Sequence, residues 1–131
     1  MRARAGRIAP VVLLVAAVAL GVTTAAVDNV ALDGEASPIL VVAMLVGATA
    51  MLGTLASRRP WGTALAVWLW VPLAHLVKHG LGMPDTLHPN TYASILKLGV
   101  FSLVVAGVGT GCGVLTRRVV GGGTGAGRTS A

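Results

Sequence analysis

Four long apolar stretches dominate this chain and leave only short polar segments between them. An α-helix rises 1.5 Å per residue, so about 20 apolar residues cross the roughly 30 Å of hydrocarbon in a bilayer. Only 11% of the residues are charged, against about 25% in a soluble domain, which leaves too few polar side chains to coat a water-exposed surface. The sequence therefore predicts an all-α membrane protein with four transmembrane helices, at approximately residues 8–26, 38–56, 61–80 and 91–115.

The charged residues alternate between the two sides of these stretches. Eight of the ten basic residues form clusters before the first stretch, after the second and after the fourth: Arg2, Arg4, Arg7, Arg58, Arg59, Arg117, Arg118 and Arg128. All four acids and all three histidines lie in or beside the other connections. Because positively charged loops stay in the cytoplasm, the pattern predicts an up-down bundle in the cell membrane with both termini cytoplasmic.

The two ends of the chain have separate interpretations. Residues 1–118 are expected to form the transmembrane domain, and 119–131 a disordered glycine-rich tail. The first stretch, with arginines before it and Thr24, Ala25 and Ala26 at its end, also resembles a signal peptide. Its length favours a retained helix. Abundant Ala, Val, Gly and Arg with only two Lys is typical of a bacterium with a GC-rich genome, so we expect a bacterial plasma membrane.

Prolines and aromatic residues mark several helix ends. Ser37 followed by Pro38 is a favourable helix start, because serine can cap and proline fits the first turn. Trp61 and Tyr92 are expected at the membrane interfaces. Pro72 lies inside the third stretch, where it removes a backbone hydrogen bond and predicts a kink.

Histidines at the predicted outer side form the only candidate metal site. His75 and His79 are four residues apart and should project from one side of a helix, so they could share a divalent transition metal with His88, or with Asp85 and the acids of residues 28–35. The segment HLVKH lacks the glutamate of the HExxH hydrolase motif, and its Lys78 would repel a cation. The alternative is that interfacial water and headgroups solvate these histidines. Haem is disfavoured, since axial ligands approach from opposite faces.

Lys97 is the one charge placed within an apolar stretch. An ionisable residue inside a span suggests a transport role, and Asp28, Glu35 or Asp85 could be its counter-ion. Its depth below Thr91 is only about 9 Å, so its flexible stem can instead extend to the interface.

Small residues recur four apart in the second and fourth stretches. Ala43 and Gly47 form one such pair, and Thr49 and Gly53 another. In the fourth stretch, Gly107 and Gly111 form one such pair, and Gly109 and Gly113 form another on a different face. This spacing permits close helix approach and indicates helix packing, within one chain or in a homo-oligomer.

No residue pattern indicates catalysis, and we expect no enzyme activity and no resident cofactor. The net charge of +6 does not indicate nucleic-acid binding, because the basic residues flank apolar stretches. With the bilayer as its main partner, the chain fits a non-enzymatic scaffold or an accessory subunit of a larger membrane complex. The alternatives are a small oligomeric transporter or channel, and an extracytoplasmic metal- or pH-responsive protein that uses His75, His79 and His88. Four-span exporters of similar length depend on a carboxylate buried in the first span, and residues 8–26 of this chain contain none.

Overall fold

The computed structural model describes residues 2–30, 38–56, 58–85, 87–89 and 91–122. Every regular element within these ranges is an α-helix. In chain order the helices are α1 (Arg2–Val30), α2 (Pro38–Leu55), α3 (Pro60–Trp68), α4 (Trp70–Gly80) and α5 (Tyr92–Gly122). Four segments are long and apolar enough to cross a membrane, with α3 and α4 together forming the third. The predicted all-helical class is thus confirmed, and the four predicted stretches form helical segments that are long and apolar enough to span a membrane.

The third segment is interrupted at Leu69, as the position of Pro72 predicts. Proline has no N–H, so the Trp68 carbonyl loses the partner that residue 72 would otherwise supply. Leu69 keeps right-handed helical angles (φ −54°, ψ −34°), and its carbonyl accepts the N–H of Leu73 over 3.2 Å. The segment therefore remains one span with a local break between α3 and α4.

Two helices extend beyond their predicted ends. α1 continues past the predicted limit at residue 26 and carries Asp28 in its last turn. α5 continues through residues 119–122, which the sequence assigns to the tail, and the rest of that tail lies outside the described residues. Two acids between the first two spans, Asp33 and Glu35, also lie outside the described residues.

The closest helix pair is α2 with α5, and glycines make this contact. A Cβ on Gly109 would overlap Thr49, and a Cβ on Gly113 would overlap the carbonyl of Ala50. A Cβ on Gly53 would come within 2.8 Å of the Thr110 carbonyl. Gly109 contacts Thr49, and Gly113 further along α5 contacts Ala50 further along α2, so the two helices run in the same direction.

Of the two glycine faces of the fourth span, only one carries this packing. A Cβ on Gly111 would meet nothing within 4 Å, and one on Gly107 would just reach Trp61 at 4.0 Å. Gly47 on α2 is likewise open. The face formed by Gly109 and Gly113 thus joins α5 to α2, while the positions of Gly47 and Gly111 leave space for a further surface.

α1 packs against α3 and α4 through another glycine. A Cβ on Gly21 would come within 2.6 Å of the Val67 carbonyl and of the Trp70 ring. The apolar core where the helices meet comprises Ala17, Leu45, Ala48, Leu52, Val67 and Ala106. Large apolar side chains on the outward faces remain exposed, which suits a surface in contact with lipid.

The two ends of the helix assembly carry different polar side chains. The histidine end is where α1 and α4 finish and α5 begins, near Asp28, His75 and Tyr92. The arginine end is where α2 and α5 finish, near Ala56 and Arg117.

Candidate functional site

Among the described histidines, His75 in the second turn of α4 is the most buried. It is only 1% exposed, although it belongs to the predicted interfacial region. α4 turns this side of the helix toward the last turn of α1, so the ring lies between helices rather than in solvent. A buried imidazole requires polar partners, because an unsatisfied polar group in an apolar interior is costly.

Two aspartates supply those partners. Nε2 of His75 forms a hydrogen bond with Asp28 Oδ2 over 2.8 Å, across 47 residues of sequence. Nδ1 lies 2.8 Å from each carboxylate oxygen of Asp85. The Asp85 side chain is fully buried, and that of Asp28 is 22% exposed. We refer to Asp28, His75 and Asp85 together as the carboxylate clamp.

The clamp has a defined proton requirement. A neutral imidazole has one N–H and one acceptor nitrogen, whereas the imidazolium cation has two N–H donors. Since a carboxylate faces each nitrogen of His75, both hydrogen bonds are satisfied when the ring carries two protons. Charge-assisted hydrogen bonds of this kind are about twice as strong as neutral ones.

The end of α4 brings Asp85 back to His75. Gly82 has a φ of +64°, a left-handed conformation that favours glycine. The N–H of Met83 donates to the Lys78 carbonyl over 2.9 Å, and that of Gly82 donates to the His79 carbonyl over 3.2 Å. These are the two bonds of a Schellman motif, which ends the helix and reverses the chain. The clamp thereby joins α1, α4 and the segment after α4.

The predicted metal residues meet different partners. The rings of His79 and Tyr92 are 4.3 Å apart and nearly perpendicular, so His79 contacts the start of α5. His88 is exposed in the segment 87–89. The structure does not join either to His75. In the described part of the chain, no three His, Cys, Asp or Glu side chains are grouped so that they could hold a metal ion.

Lys97 is also separate from the clamp. Its side chain is exposed on the outward face of α5, and no residue that the structure describes forms an ion pair with it. Of the counter-ions considered for it, Asp28 and Asp85 are engaged by His75, and Glu35 lies outside the described residues.

Sequence analysis identified the members of the clamp but not their relationship. It placed His75, Asp28 and Asp85 at one end of the spans, as metal ligands or as counter-ions. The signal for the real arrangement was Gly82, a helix-ending glycine three residues before Asp85, which returns the chain toward α4.

Comparisons with known proteins add no relative: no family model, no curated protein and no solved structure matches this chain.

Proposed function

We propose that this chain is a non-enzymatic membrane protein that responds to proton concentration at its histidine end. The observation that carries the proposal is the burial of His75 between the carboxylates of Asp28 and Asp85. The distribution of arginines supports an orientation with both termini in the cytoplasm and the clamp facing outward, in a bacterial plasma membrane.

The proton is the ligand that the clamp is built to hold. When His75 loses one proton, one ring nitrogen presents a lone pair to a carboxylate, and an attraction becomes a repulsion. Asp85 is the more sensitive partner, because its carboxylate is fully buried, whereas that of Asp28 is 22% exposed. The clamp therefore closes when His75 is doubly protonated and loosens as the pH rises.

Other titratable side chains lie in the described elements beside the clamp. α4 itself carries Lys78 and His79, the segment 87–89 carries His88, and the first turn of α5 contributes Tyr92. α2 and α3 contain no ionisable side chain. Asp33 and Glu35 lie between α1 and α2, outside the described residues. Both aspartates of the clamp contact the ring of His75, so the protonation state of this ring affects both contacts.

A distance measurement across the clamp tests the proposal. Spin labels on cysteines that replace the exposed Ala26 of α1 and Val77 of α4 would report the separation of the two helix ends, in a Cys112→Ser background. In lipid nanodiscs, we expect one narrow distance distribution at acidic pH that broadens at alkaline pH, as the imidazole loses its second proton. The measurement is pulsed electron paramagnetic resonance.

His75→Gln and His79→Gln form a matched pair of variants. His75→Gln should give a broad distribution at every pH, whereas His79→Gln should keep the wild-type response, since His79 contacts Tyr92 and not the clamp. A wild-type distribution that does not change with pH, or a pH response that survives in His75→Gln, would refute the proposal.

A second candidate function is that of an accessory subunit or scaffold that associates through the open small-residue faces. Gly111 and Gly47 support it, because each has room for a neighbouring backbone. Gly111→Leu should weaken self-association in detergent while leaving the helices folded. An unaltered oligomer, measured by sedimentation, would count against this candidate.

A further inference from the structure

An apolar groove of about 540 Å³ lies between the third span and α5. Trp68, Pro72 and Leu76 line one side, and Ile95, Gly99 and Leu103 line the other. Within it, Pro72 and Gly99 are close neighbours, since a Cβ on Gly99 would lie 3.5 Å from the Pro72 ring. Its volume falls within the range of roughly 300–1,000 Å³ that is typical of small-molecule sites.

The walls present hydrocarbon because their polar atoms are engaged elsewhere. The indole N–H of Trp68 donates to the Gly99 carbonyl over 2.8 Å and to Ser102 Oγ over 3.1 Å. Ser102 in turn donates to the Leu98 carbonyl over 2.7 Å. These bonds fix the indole against α5 and turn its one polar atom away from the groove.

The dimensions of the groove match one leaflet of a bilayer. On α5 it extends from Tyr92 to Leu103, which is roughly 16 Å at 1.5 Å per residue. Half of a hydrocarbon core of about 30 Å is about 15 Å. Its polar groups are confined to the histidine end, where Tyr92 lines the mouth and its ring meets that of His79. The groove is thus apolar along its depth and polar at the end expected among headgroups.

We infer that this groove binds one acyl chain of a membrane phospholipid, with the headgroup beside Tyr92 and His79. The acyl chain lies in the groove against Pro72 and Gly99, and the Tyr92 hydroxyl and the His79 ring offer hydrogen bonds to the phosphate region. The inference requires that the helices lie in a bilayer. It is independent of the carboxylate clamp, so either proposal can fail while the other holds.

Spin-labelled phospholipids test the site. In nanodiscs of phosphatidylcholine with a trace of chain-labelled phosphatidylcholine or phosphatidylglycerol, the spectrum should contain a motionally restricted component equivalent to one chain per protein. Native mass spectrometry from detergent should find one phospholipid retained on the wild-type chain. A free spin-labelled fatty acid should compete weakly, because it lacks the phosphate.

Val100→Phe and Val104→Phe form the matched pair for this test. Both positions are similarly exposed on α5, at 55% and 60%, but only Val100 lines the groove. Val100→Phe should remove the restricted component and the retained lipid, and Val104→Phe should leave both intact. Gly99→Leu should act like Val100→Phe, and unchanged circular dichroism would establish that each variant folds.

Three results would overturn the inference. The first is a wild-type protein without a restricted chain. The second is a restricted fraction that is equal in all variants, which is the signature of annular lipid only. The third is a dimer that Val100→Phe dissociates, because a second copy of the chain would then occupy the groove.

Discussion

The guanidinium of Arg117 donates a hydrogen bond from Nη1 to the backbone carbonyl of Ala56 over 2.6 Å, which joins residues 61 positions apart. Ala56 directly follows α2, where the last carbonyls of a helix have no partner within the helix. The negative end of the helix dipole lies here as well, so a cation is favourable. Arg117 of α5 thus caps the carboxyl end of the neighbouring helix α2.

Arg117→Met should destabilise the protein, because it leaves the Ala56 carbonyl without its charged donor. We expect a loss of about 1–3 kcal/mol, the usual cost of an unsatisfied buried acceptor, measured as the free energy of unfolding in mixed micelles. Arg118→Met is the matched control, since Arg118 is exposed. Equal stabilities of the two variants would show that the Arg117 bond contributes nothing.

Gly113→Ala should be more damaging than Gly111→Ala, although the positions are two residues apart. A Cβ at 113 overlaps the Ala50 carbonyl, which belongs to a helix backbone and cannot move freely, so we expect a loss of about 1–3 kcal/mol from overpacking. A Cβ at 111 meets only open space, and alanine improves helix propensity by up to about 1 kcal/mol. Thermal unfolding of both variants in the same detergent measures the difference, and the opposite order would contradict the α2–α5 packing.

Pro72→Ala should close the break between α3 and α4. The new N–H at residue 72 can donate to the Trp68 carbonyl, so the amide of residue 72 should be protected from hydrogen exchange. Fast exchange at that amide would mean that the break at Leu69 has a cause other than the missing donor. Pro84→Ala lies beyond the end of α4 and serves as the control.

Asp85→Asn should cost more stability than Asp28→Asn. Both changes remove a carboxylate from His75, but the Asp85 side chain is fully buried and that of Asp28 is 22% exposed, so water reaches the site of Asp28 more readily. Breaking a buried ion pair costs on the order of 3–5 kcal/mol, and the loss at Asp28 should be well below that range. Unfolding near pH 6 measures both, and a larger loss in Asp28→Asn would be inconsistent with the observed burial.

The four apolar helices could be predicted from local chemistry. Hydropathy and length indicate which stretches can cross a bilayer as helices, and Pro38 marks the start of α2. The Leu69 break followed from the absence of an N–H in Pro72. These features depend on local chemistry, so the sequence contains them directly.

The partners of the side chains could not be predicted in the same way. His75 and His79 differ by about 40° around α4, at 3.6 residues per turn. That rotation is enough for one ring to meet Asp28 of α1 and the other to meet Tyr92 of α5. The periodicity gives the side of the helix, whereas the position of the neighbouring helices decides which residue is met.

The same limit applies to the fourth span. Gly107 with Gly111 and Gly109 with Gly113 are equivalent as sequence patterns. Only the second pair meets Thr49 and Ala50 of α2, because that face of α5 is turned toward it. The spacing of small residues therefore identifies a helix face that another backbone can approach closely, but it does not identify which helix packs there.

The 31 residues of α5 have a further consequence. A helix of this length measures roughly 46 Å and retains about 43 Å along the membrane normal at the average tilt of about 20°. With Tyr92 at one interface, about 13 Å of rigid rod stands clear of the opposite hydrocarbon boundary. The last turns of α5, up to Gly122, would thus pass through the headgroup layer and be accessible to a protease or binding protein in the aqueous phase.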